Sequence, residues 1–339
     1  LSMYISKKYT DDPLSFEKSN VNLSGDSMVT ELPSTKKYKD KVSVVEGNLV
    51  VNNNSKVNTD EKKWFNEVIG NTSNVKEEWQ DTIASVKYGV PIPKGFTYKE
   101  GTKDTGLVIQ QDEKGNEFVW VPVTESTYAK DFGFKSNFNA TSTNTKDDTL
   151  PNGITDETAD VKKYGGFYIG RYEAGIPEGD TSTSNKTGIP VSKQGVTVWT
   201  NIDYTNSKAS AESMISNEYV QTGLLTGKAW DTVCHWIKSD DELKDSRTYG
   251  NYNNSLAPAN ENSGTKRTAG FNENWKVKNI YDLAGNVWEW TSEANGSGFI
   301  GRGGSYFADG SGCPVSHRIY NNASNAGDVL GFRSRLYIK

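Results

Sequence analysis

Cysteine and histidine are scarce in this chain, and their scarcity limits the chemistry that its side chains can support. The 339 residues include two cysteines, Cys234 and Cys313, and two histidines, His235 and His317. One disulfide can form, but a framework of disulfides is excluded. A zinc site built from these residue types would need all four side chains to converge, and their spacing along the chain does not favour it.

Long apolar runs and an excess of positive charge are also lacking. No apolar run reaches the roughly 18 residues that span a bilayer. The formal net charge is −5 and the pI is about 5.4, so we expect no nucleic acid among the partners. The sequence contains no Gly-x-Ser-x-Gly, phosphate-loop or His-Glu-x-x-His motif.

The residue types that are plentiful indicate a folded protein with many loops. Aromatic residues make up 11% of the chain, including nine Trp and 17 Tyr, so they supply much of the apolar area available for a core. The 32 glycines and the stretches rich in Asn, Ser and Thr are typical of loops.

Residues 1–88 differ from the rest and predict a small N-terminal α/β module. Residues 41–51 alternate β-forming residues around Glu-Gly-Asn, which predicts a hairpin. Residues 60–70 and 73–89 carry apolar residues at helical spacing and predict two helices. Two closely spaced prolines that follow predict a boundary, so a second domain is expected over residues 89–339.

The second domain is predicted to mix strands, loops and few helices. Residues 105–123 predict two strands joined by a turn. Residues 140–160, rich in Thr, Asn and Asp, and residues 251–267, rich in Asn, predict surface loops. Thr226 is a candidate N-cap of a helix that turns Trp230 toward the core.

Several stretches resemble, in order, one protein family. They are YGGFYIGRYEAG from Tyr164, GIPVSKQGVTVWTNIDY from Gly188, GLLTGKAWDTVCHWI from Gly223, NIYDLAGNVWEWT from Asn279, and the pair RGGSY from Arg302 and GFR from Gly331. Together they are similar to the formylglycine-generating-enzyme/sulfatase-modifying domain, a subtype of the C-type lectin fold. The resemblance implies an α+β, C-type lectin-like fold with short strands and much ordered loop.

The same motifs have expected architectural roles. The two tryptophans of Gly-Asn-Val-Trp-Glu-Trp are expected in the core, and Arg302, Glu289 and Arg333 are expected to make buried polar contacts. Some members of the family hold Ca²⁺ near the position of Asn286. One Asn and one Glu do not form a full oxygen cage, so no cofactor is expected beyond this option.

The catalytic chemistry of the family is incomplete in this chain. Its enzymes oxidise a substrate cysteine with two cysteines after Gly-Gly-Ser-Tyr, and the corresponding positions here are Ala308 and Cys313. A copper–thiolate site needs both soft ligands, so we expect no enzyme. Asp309 and His317 offer an acid/base pair without a nucleophile. A formylglycine-generating-type oxidoreductase with altered chemistry is the alternative.

The segment of residues 302–333 has firm ends and an irregular middle that fits no helix or strand template. Residues 294–338 contain no Lys, Glu, Gln, Met or Trp. Given how common these types are in the chain, their chance absence has a probability of about one in ten thousand or less. These are the residue types that codons ending in C cannot encode.

This pattern resembles the variable proteins of diversity-generating retroelements. In that family a reverse transcriptase corrupts the adenines of a template, and AAC codons then yield only residue types encoded by codons ending in C. The ending GFRSRLYIK is similar to the invariant tail of that family. The resemblance implies a variable segment at about residues 294–330. An ordinary Gly/Ser/Asn-rich loop without mutagenesis is the alternative.

The variable segment is expected to bind a ligand, since a scaffold tolerates arbitrary side chains only where they do not carry the fold. Tyr among Asn, Ser and Gly is also typical of antibody-like paratopes. We expect one face to hold Tyr306, Phe307, Asp309, Cys313, His317, Ile319, Tyr320, Asn325 and Asp328. The predicted ligand-binding residues are these nine together with Ala308, Gly312, Asn321, Asn322, Gly327 and Val329.

The expected function is a non-enzymatic, surface-displayed ligand-binding protein whose specificity a retroelement varies. The expected partner is a protein or glycan on another cell or on a phage or host surface. Residues 1–88 resemble segments of pilin-like surface proteins of Gram-positive bacteria, which implies an extracellular, pilus-associated location. The chain begins at Leu1, so we expect an anchor removed before that residue. A phage tail receptor-binding protein is a further alternative.

Overall fold

The computed structural model describes residues 42–45, 48–51, 75–123 and 147–339. The chain divides into two compact units, Leu1–Ile92 and Pro93–Lys339. The helix predicted over residues 60–70 lies outside the described residues. The domain boundary predicted between residues 88 and 89 stays a prediction.

The described strands of the first unit form two hairpins. Strands β1 (Val42–Val45) and β2 (Asn48–Val51) pair antiparallel, with Val45 opposite Asn48, and this confirms the predicted hairpin. Strands β3 (Ile83–Lys87) and β4 (Val90–Pro93) form a second two-stranded sheet after a short 3-10 helix at Glu77–Trp79.

The helix predicted over residues 73–89 is therefore wrong. Ile83 and Val86 are β-branched, and such side chains suit an extended strand better than a helix. Tyr88 and Gly89 have φ values of 52° and 76°, which make the two-residue turn between the strands and stop any helix. The two prolines that predict a boundary lie in β4, which pairs with β3 alone among the described strands and therefore tolerates them.

The larger unit is built on a six-stranded antiparallel sheet. Its strands are β5 (Phe96–Glu100), β6 (Val108–Gln111), β7 (Glu117–Pro122), β9 (Gly166–Gly170), β10 (Val220–Leu224) and β17 (Ser334–Ile338). Their order in the sheet is β10-β17-β9-β7-β6-β5. The pairing of β6 with β7 confirms the hairpin predicted over residues 105–123. Every residue of β9, β10 and β17 is buried, so both faces of this part of the sheet are covered.

A second sheet carries the irregular C-terminal segment. Its strands are β8 (Asp147–Asp148), β13 (Trp288–Asn295), β14 (Gly298–Arg302), β15 (Arg318–Asn322) and β16 (Leu330–Phe332), and β11 (Lys276–Val277) with β12 (Ile280–Tyr281) forms a separate pair. Strand β15 contradicts the expectation that no regular element lies in the middle of the segment. It forms because its whole backbone pairs with β14, a long-range contact that side-chain periodicity does not reveal.

The described residues of the larger unit contain three α-helices: α1 (Glu157–Tyr164), α2 (Tyr204–Ser213) and α3 (Gly227–Ile237). Thr226 caps α3 as predicted, since its hydroxyl accepts from the Ala229 N–H at 3.0 Å, and Trp230 is fully buried. Helix α1 and strand β8 correct the expectation that residues 140–160 form only a surface loop. Short 3-10 helices at Glu242–Lys244 and Glu273–Trp275 complete the described elements.

The fold is mixed α+β, rich in sheet and loop and poor in helix, as the sequence predicts. Its largest hydrophobic cluster packs Trp230 and Val233 of α3 against Val119 and Val121 of β7 and Ile169 of β9. Within the part of the chain that the structure describes, none of the helices is long and apolar enough to span a bilayer.

A buried guanidinium joins the two sheets. Arg333, which is fully buried, donates to Glu289 through Nε at 3.0 Å and through Nη2 at 2.7 Å. It also donates to the backbone carbonyls of Gly170 at 3.0 Å and Tyr281 at 2.8 Å. The residue after β16 is thereby tied to β13, β9 and β12, and the expected buried contacts of Glu289 and Arg333 are confirmed.

Three buried carboxyl groups share the neighbourhood of this one guanidinium. Glu173, Asp282 and Glu289 are each at most 1% exposed. Loss of hydration raises the pKa of Glu173 far above its usual range, and it raises the pKa of Asp282 from 3.8 to about 7. Asp282 accepts one hydrogen bond, from the Gly270 N–H at 2.7 Å. Folding therefore favours the protonated form of Glu173 and Asp282.

Substitution of Asp282 by Asn is expected to stabilise the protein at high pH. Because the pKa of Asp282 is raised in the folded state, its favourable contribution is present near pH 4 and is lost as the pH rises through about 7. Asn keeps the acceptor for Gly270 and tolerates the φ of 56° at this position. We expect the Tm of Asp282→Asn to exceed that of the wild type by at least about 3 °C at pH 8.

The gain is expected to shrink at pH 5, where the native carboxyl group is protonated. Asp104→Asn removes an exposed carboxylate and is the matched control, since surface substitutions change stability little. Equal Tm changes for Asp282→Asn at pH 5 and pH 8, measured by calorimetry, would contradict the buried charge at this position.

Candidate ligand-binding surface

Residues 302–305 and 330–333, here called the frame, are buried without exception. At the opening end, Arg302 donates to Asp231 at 2.8 Å and to the carbonyls of Ser316 at 3.1 Å and His317 at 3.1 Å. Arg302 thus makes the buried polar contacts expected of it, although its carboxylate partner lies on α3. The closing end is held by Arg333, as described above.

Two glycines of the frame allow its backbone to turn in a packed environment. Gly303 and Gly304 have φ values of 93° and 83°, which L-residues with a side chain rarely adopt. A Cβ at Gly303 would lie 2.8 Å from the Leu283 carbonyl oxygen, and one at Gly304 would lie 2.5 Å from the Cys313 carbonyl oxygen. The Arg-Gly-Gly motif therefore encodes a turn that has no room for a side chain.

Residues 306–329, here called the middle segment, contain all the predicted ligand-binding residues, and none of these is buried. Seven are exposed: Phe307, Asp309, Gly312, Tyr320, Asn322, Asn325 and Asp328. Eight are half-buried: Tyr306, Ala308, Cys313, His317, Ile319, Asn321, Gly327 and Val329. Buried residues between them, such as Val315 and Arg318, belong to the interior. Side chains are therefore buried throughout the frame, whereas exposed, half-buried and buried side chains alternate inside the middle segment.

The first part of the middle segment rests on the loop of residues 251–267. Asn253 donates from its side chain to the Phe307 carbonyl at 2.8 Å and from its N–H to the Ala308 carbonyl at 3.1 Å. The ring of Phe307 is 73% exposed and lies edge-to-face beside Tyr306, with centroids 6.5 Å apart. A fixed loop thus supports an exposed aromatic pair.

Both ends of the middle segment meet through Asp328. The Tyr306 hydroxyl donates to its carboxylate at 3.0 Å, and Lys266 forms an ion pair with it. Lys266 also donates to Thr200 Oγ1 at 2.9 Å. These bonds hold the pKa of Asp328 below its usual range, with the Lys266 contact as the largest cause. Sequence reasoning missed Lys266, Thr200 and Asn253, because their role depends on contacts over long sequence separations.

Asp309 and His317 do not form the acid/base pair considered from the sequence. The Asp309 carboxylate accepts from the Ser311 hydroxyl and N–H and from the Gly312 N–H, and these bonds hold its pKa well below its usual range. The His317 ring lies 5.5 Å from that of Trp288, and burial lowers its pKa. Among the described residues no hydrogen bond or ion pair joins the two side chains.

Part of the middle segment contributes to packing as well as to surface. Cys313, Ile319 and Val329 contact a hydrophobic cluster that includes Trp288 and Leu330. Cys313 is a free thiol, and burial raises its pKa, so the nucleophilic thiolate is disfavoured. These three positions therefore accept apolar side chains of limited size more readily than arbitrary ones.

Asn286 is part of the hydrogen-bond network beneath the frame. Its side-chain oxygen accepts from the Asn251 side chain at 2.9 Å and from the Arg267 N–H at 3.0 Å, and its backbone carbonyl accepts from Tyr306 at 2.9 Å. The described residues contain no group of three or more His, Cys, Asp or Glu side chains placed to hold a metal ion. The local geometry supports a structural role for Asn286.

Comparison with known proteins finds similarity to solved structures only. No family model and no curated protein matches the chain. Treponema denticola variable protein 1 is 18% identical with a TM-score of 0.34, over 50% of this chain and 84% of its own. CarF is 16% identical with a TM-score of 0.33, over 51% and 87%. PvdO from Pseudomonas aeruginosa is 16% identical with a TM-score of 0.38, over 68% and 97%.

Glycine-to-alanine substitutions are expected to separate the frame from the middle segment. Gly303→Ala and Gly304→Ala combine a positive φ with a collision against backbone, so each should lower the free energy of unfolding by at least about 2 kcal/mol. In Gly327→Ala the new Cβ would lie in open space, and in Gly312→Ala it would lie 3.8 Å from the nearest atom. Both should change stability by less than about 0.5 kcal/mol in urea unfolding. Similar losses for all four variants would contradict the distinction.

Proposed function

We propose that this chain is a ligand-binding protein with a C-type lectin-like domain, whose middle segment is a binding surface diversified by a retroelement. The observation that carries the proposal is a coincidence of two patterns. All the predicted ligand-binding residues are accessible while the frame on either side is buried. The same stretch contains only residue types that codons ending in C encode.

The exposed aromatic side chains support a binding role. Phe307 is the most exposed of the large hydrophobic side chains in the described residues, and Tyr320 is 46% exposed. An exposed aromatic ring buries a large apolar area when a ligand covers it. Rigid aromatic rings among Asn, Ser and Gly give large contact area at a small loss of conformational entropy. The middle segment therefore has the composition of a paratope.

Catalysis is not part of this proposal. Ala308 replaces one of the two cysteines that the formylglycine-generating chemistry needs, and the raised pKa of Cys313 disfavours its thiolate. Turnover of a Cys-x-Pro-x-Arg peptide that is abolished by Cys313→Ala would overturn this part of the proposal.

We further propose an extracellular protein or glycan as the ligand and display on a cell surface, on a pilus-like carrier that includes residues 1–88. The charge of −5 supports a partner other than nucleic acid. Protease added to intact cells tests this location. We expect the protein to be degraded there, whereas survival of the intact protein in treated cells, at the level of untreated cells, would contradict surface display.

The coding DNA gives the most direct test of diversification. We expect codons ending in C at the predicted ligand-binding positions, and a near-identical repeat nearby that carries AAC at many of them. A reverse-transcriptase gene should lie beside the repeat. Mixed third bases at these positions and the lack of such a repeat would contradict diversification. The ligand-binding role is tested separately, by capture of an extracellular protein or glycan with the intact protein.

A further inference from the structure

Arg318 differs from its neighbours in the middle segment. His317 and Ile319 on either side are half-buried, and Tyr320 is exposed, whereas Arg318 is buried. Arginine belongs to the residue types that codons ending in C encode, so its presence is compatible with diversification. Its surroundings decide whether another residue type can replace it.

Arg318 enters a group of buried charges beneath the middle segment. It forms an ion pair with Glu293 of β13, which is fully buried. Nη1 of Arg302 lies 4.0 Å from the same carboxylate, and Nη2 of Arg302 donates to Asp231 at 2.8 Å. Two arginines, one from the frame and one from the middle segment, therefore share the carboxylate of Glu293.

The carboxylate of Glu293 lies in a space that the fold leaves for it. A side chain at Gly227, the first residue of α3, would collide with Glu293. The Gly227 N–H donates instead to Asp148 at 2.6 Å. Glu293 is fully buried where α3, β8 and β13 meet, so no solvent lies beside its carboxylate to compensate for the loss of Arg318.

Replacement of Arg318 would leave a buried carboxylate with one cation at 4.0 Å. Removal of one partner of a buried ion pair is strongly destabilising, because the remaining charge stays desolvated. Among the residue types that codons ending in C encode, only arginine carries a permanent positive charge. Random substitution at this position would therefore nearly always disrupt the fold.

We propose that Arg318 is a constant anchor within the diversified surface, and that it divides the middle segment into two display segments, residues 306–317 and residues 319–329, the second of which begins with the rest of strand β15. The anchor holds β15 against β13 and β14. The side chains of each display segment therefore vary while the end of the segment next to Arg318 stays in place. This inference rests on the proposed function.

A single-position library tests the anchor. The codons of Phe307, Arg318 and Tyr320 are each randomised at the first two bases with C at the third, and the whole chain is displayed on phage and treated with protease. We expect the encoded residue types to survive in similar proportions at Phe307 and Tyr320. At Arg318 we expect every type except arginine to be depleted by at least about tenfold, as loss of a buried pair requires.

The outcomes separate the two proposals. Equal survival of all types at Arg318 would overturn the anchor and leave the proposed function intact. General depletion at Phe307 and Tyr320 would overturn the diversifiable surface itself. The template repeat gives an independent readout, since an anchor requires a codon without adenine at position 318. AAC at that position of the template would also overturn the anchor.

A double-mutant cycle tests the pair with Glu293. Arg318→Met and Glu293→Gln should each lower the Tm, and the double variant should lose less than the sum of the two, because the second substitution no longer leaves the partner of the first as an unmatched buried charge. Tyr320→Met with Glu293→Gln is the matched control and should be additive. Additive losses for Arg318→Met with Glu293→Gln would show that the two side chains do not act through each other.

Discussion

The bidentate pair between Arg333 and Glu289 fixes the point at which the irregular C-terminal segment returns to the fold. Glu289 lies on β13 opposite Gly331, and Arg333 follows directly after β16. The guanidinium also donates to the carbonyls of Gly170 and Tyr281, so its hydrogen bonds reach β13, β9 and β12 at once. A desolvated charge without its partners is strongly unfavourable. The end of the segment is therefore held by charge as much as by the three-residue strand.

A buried arginine, Arg302, also holds the opening end of the segment, with different partners. Arg302 is bound by Asp231 and by carbonyls of the segment itself, so the segment folds back onto the residue from which it starts. Both ends are fixed by buried arginines, whereas side chains between them such as Phe307 and Tyr320 remain exposed. The buried arginine at the closing end has two further carboxyl groups near it, Glu173 and Asp282. Loss of hydration raises the pKa of both, so the interior accommodates them in protonated form.

Local signals in the sequence predict local structure well and long-range contacts poorly. The cap at Thr226 and the β6–β7 hairpin depend on neighbouring residues, and both are found as predicted. Residues 73–89 mislead because their apolar spacing fits a helix, while the turn at Tyr88 and Gly89 forms a hairpin. Strand β15 follows from pairing with β14. The roles of Lys266 and Glu293 depend on partners far away in sequence, and no pattern around either residue indicates them.

The residue types that are missing from the segment also suit a binding surface. Lys, Glu and Gln lose much side-chain entropy when they are immobilised, and Lys and Glu are depleted at protein interfaces. Tyr, Phe, His, Asn and Ser remain available, and they combine contact area with hydrogen bonding. The half-buried positions Cys313, Ile319 and Val329 also benefit, because the available set includes small and β-branched apolar residues that pack against Trp288. A restriction that arises from codons would thus enrich the side chains that bind with the least loss of entropy.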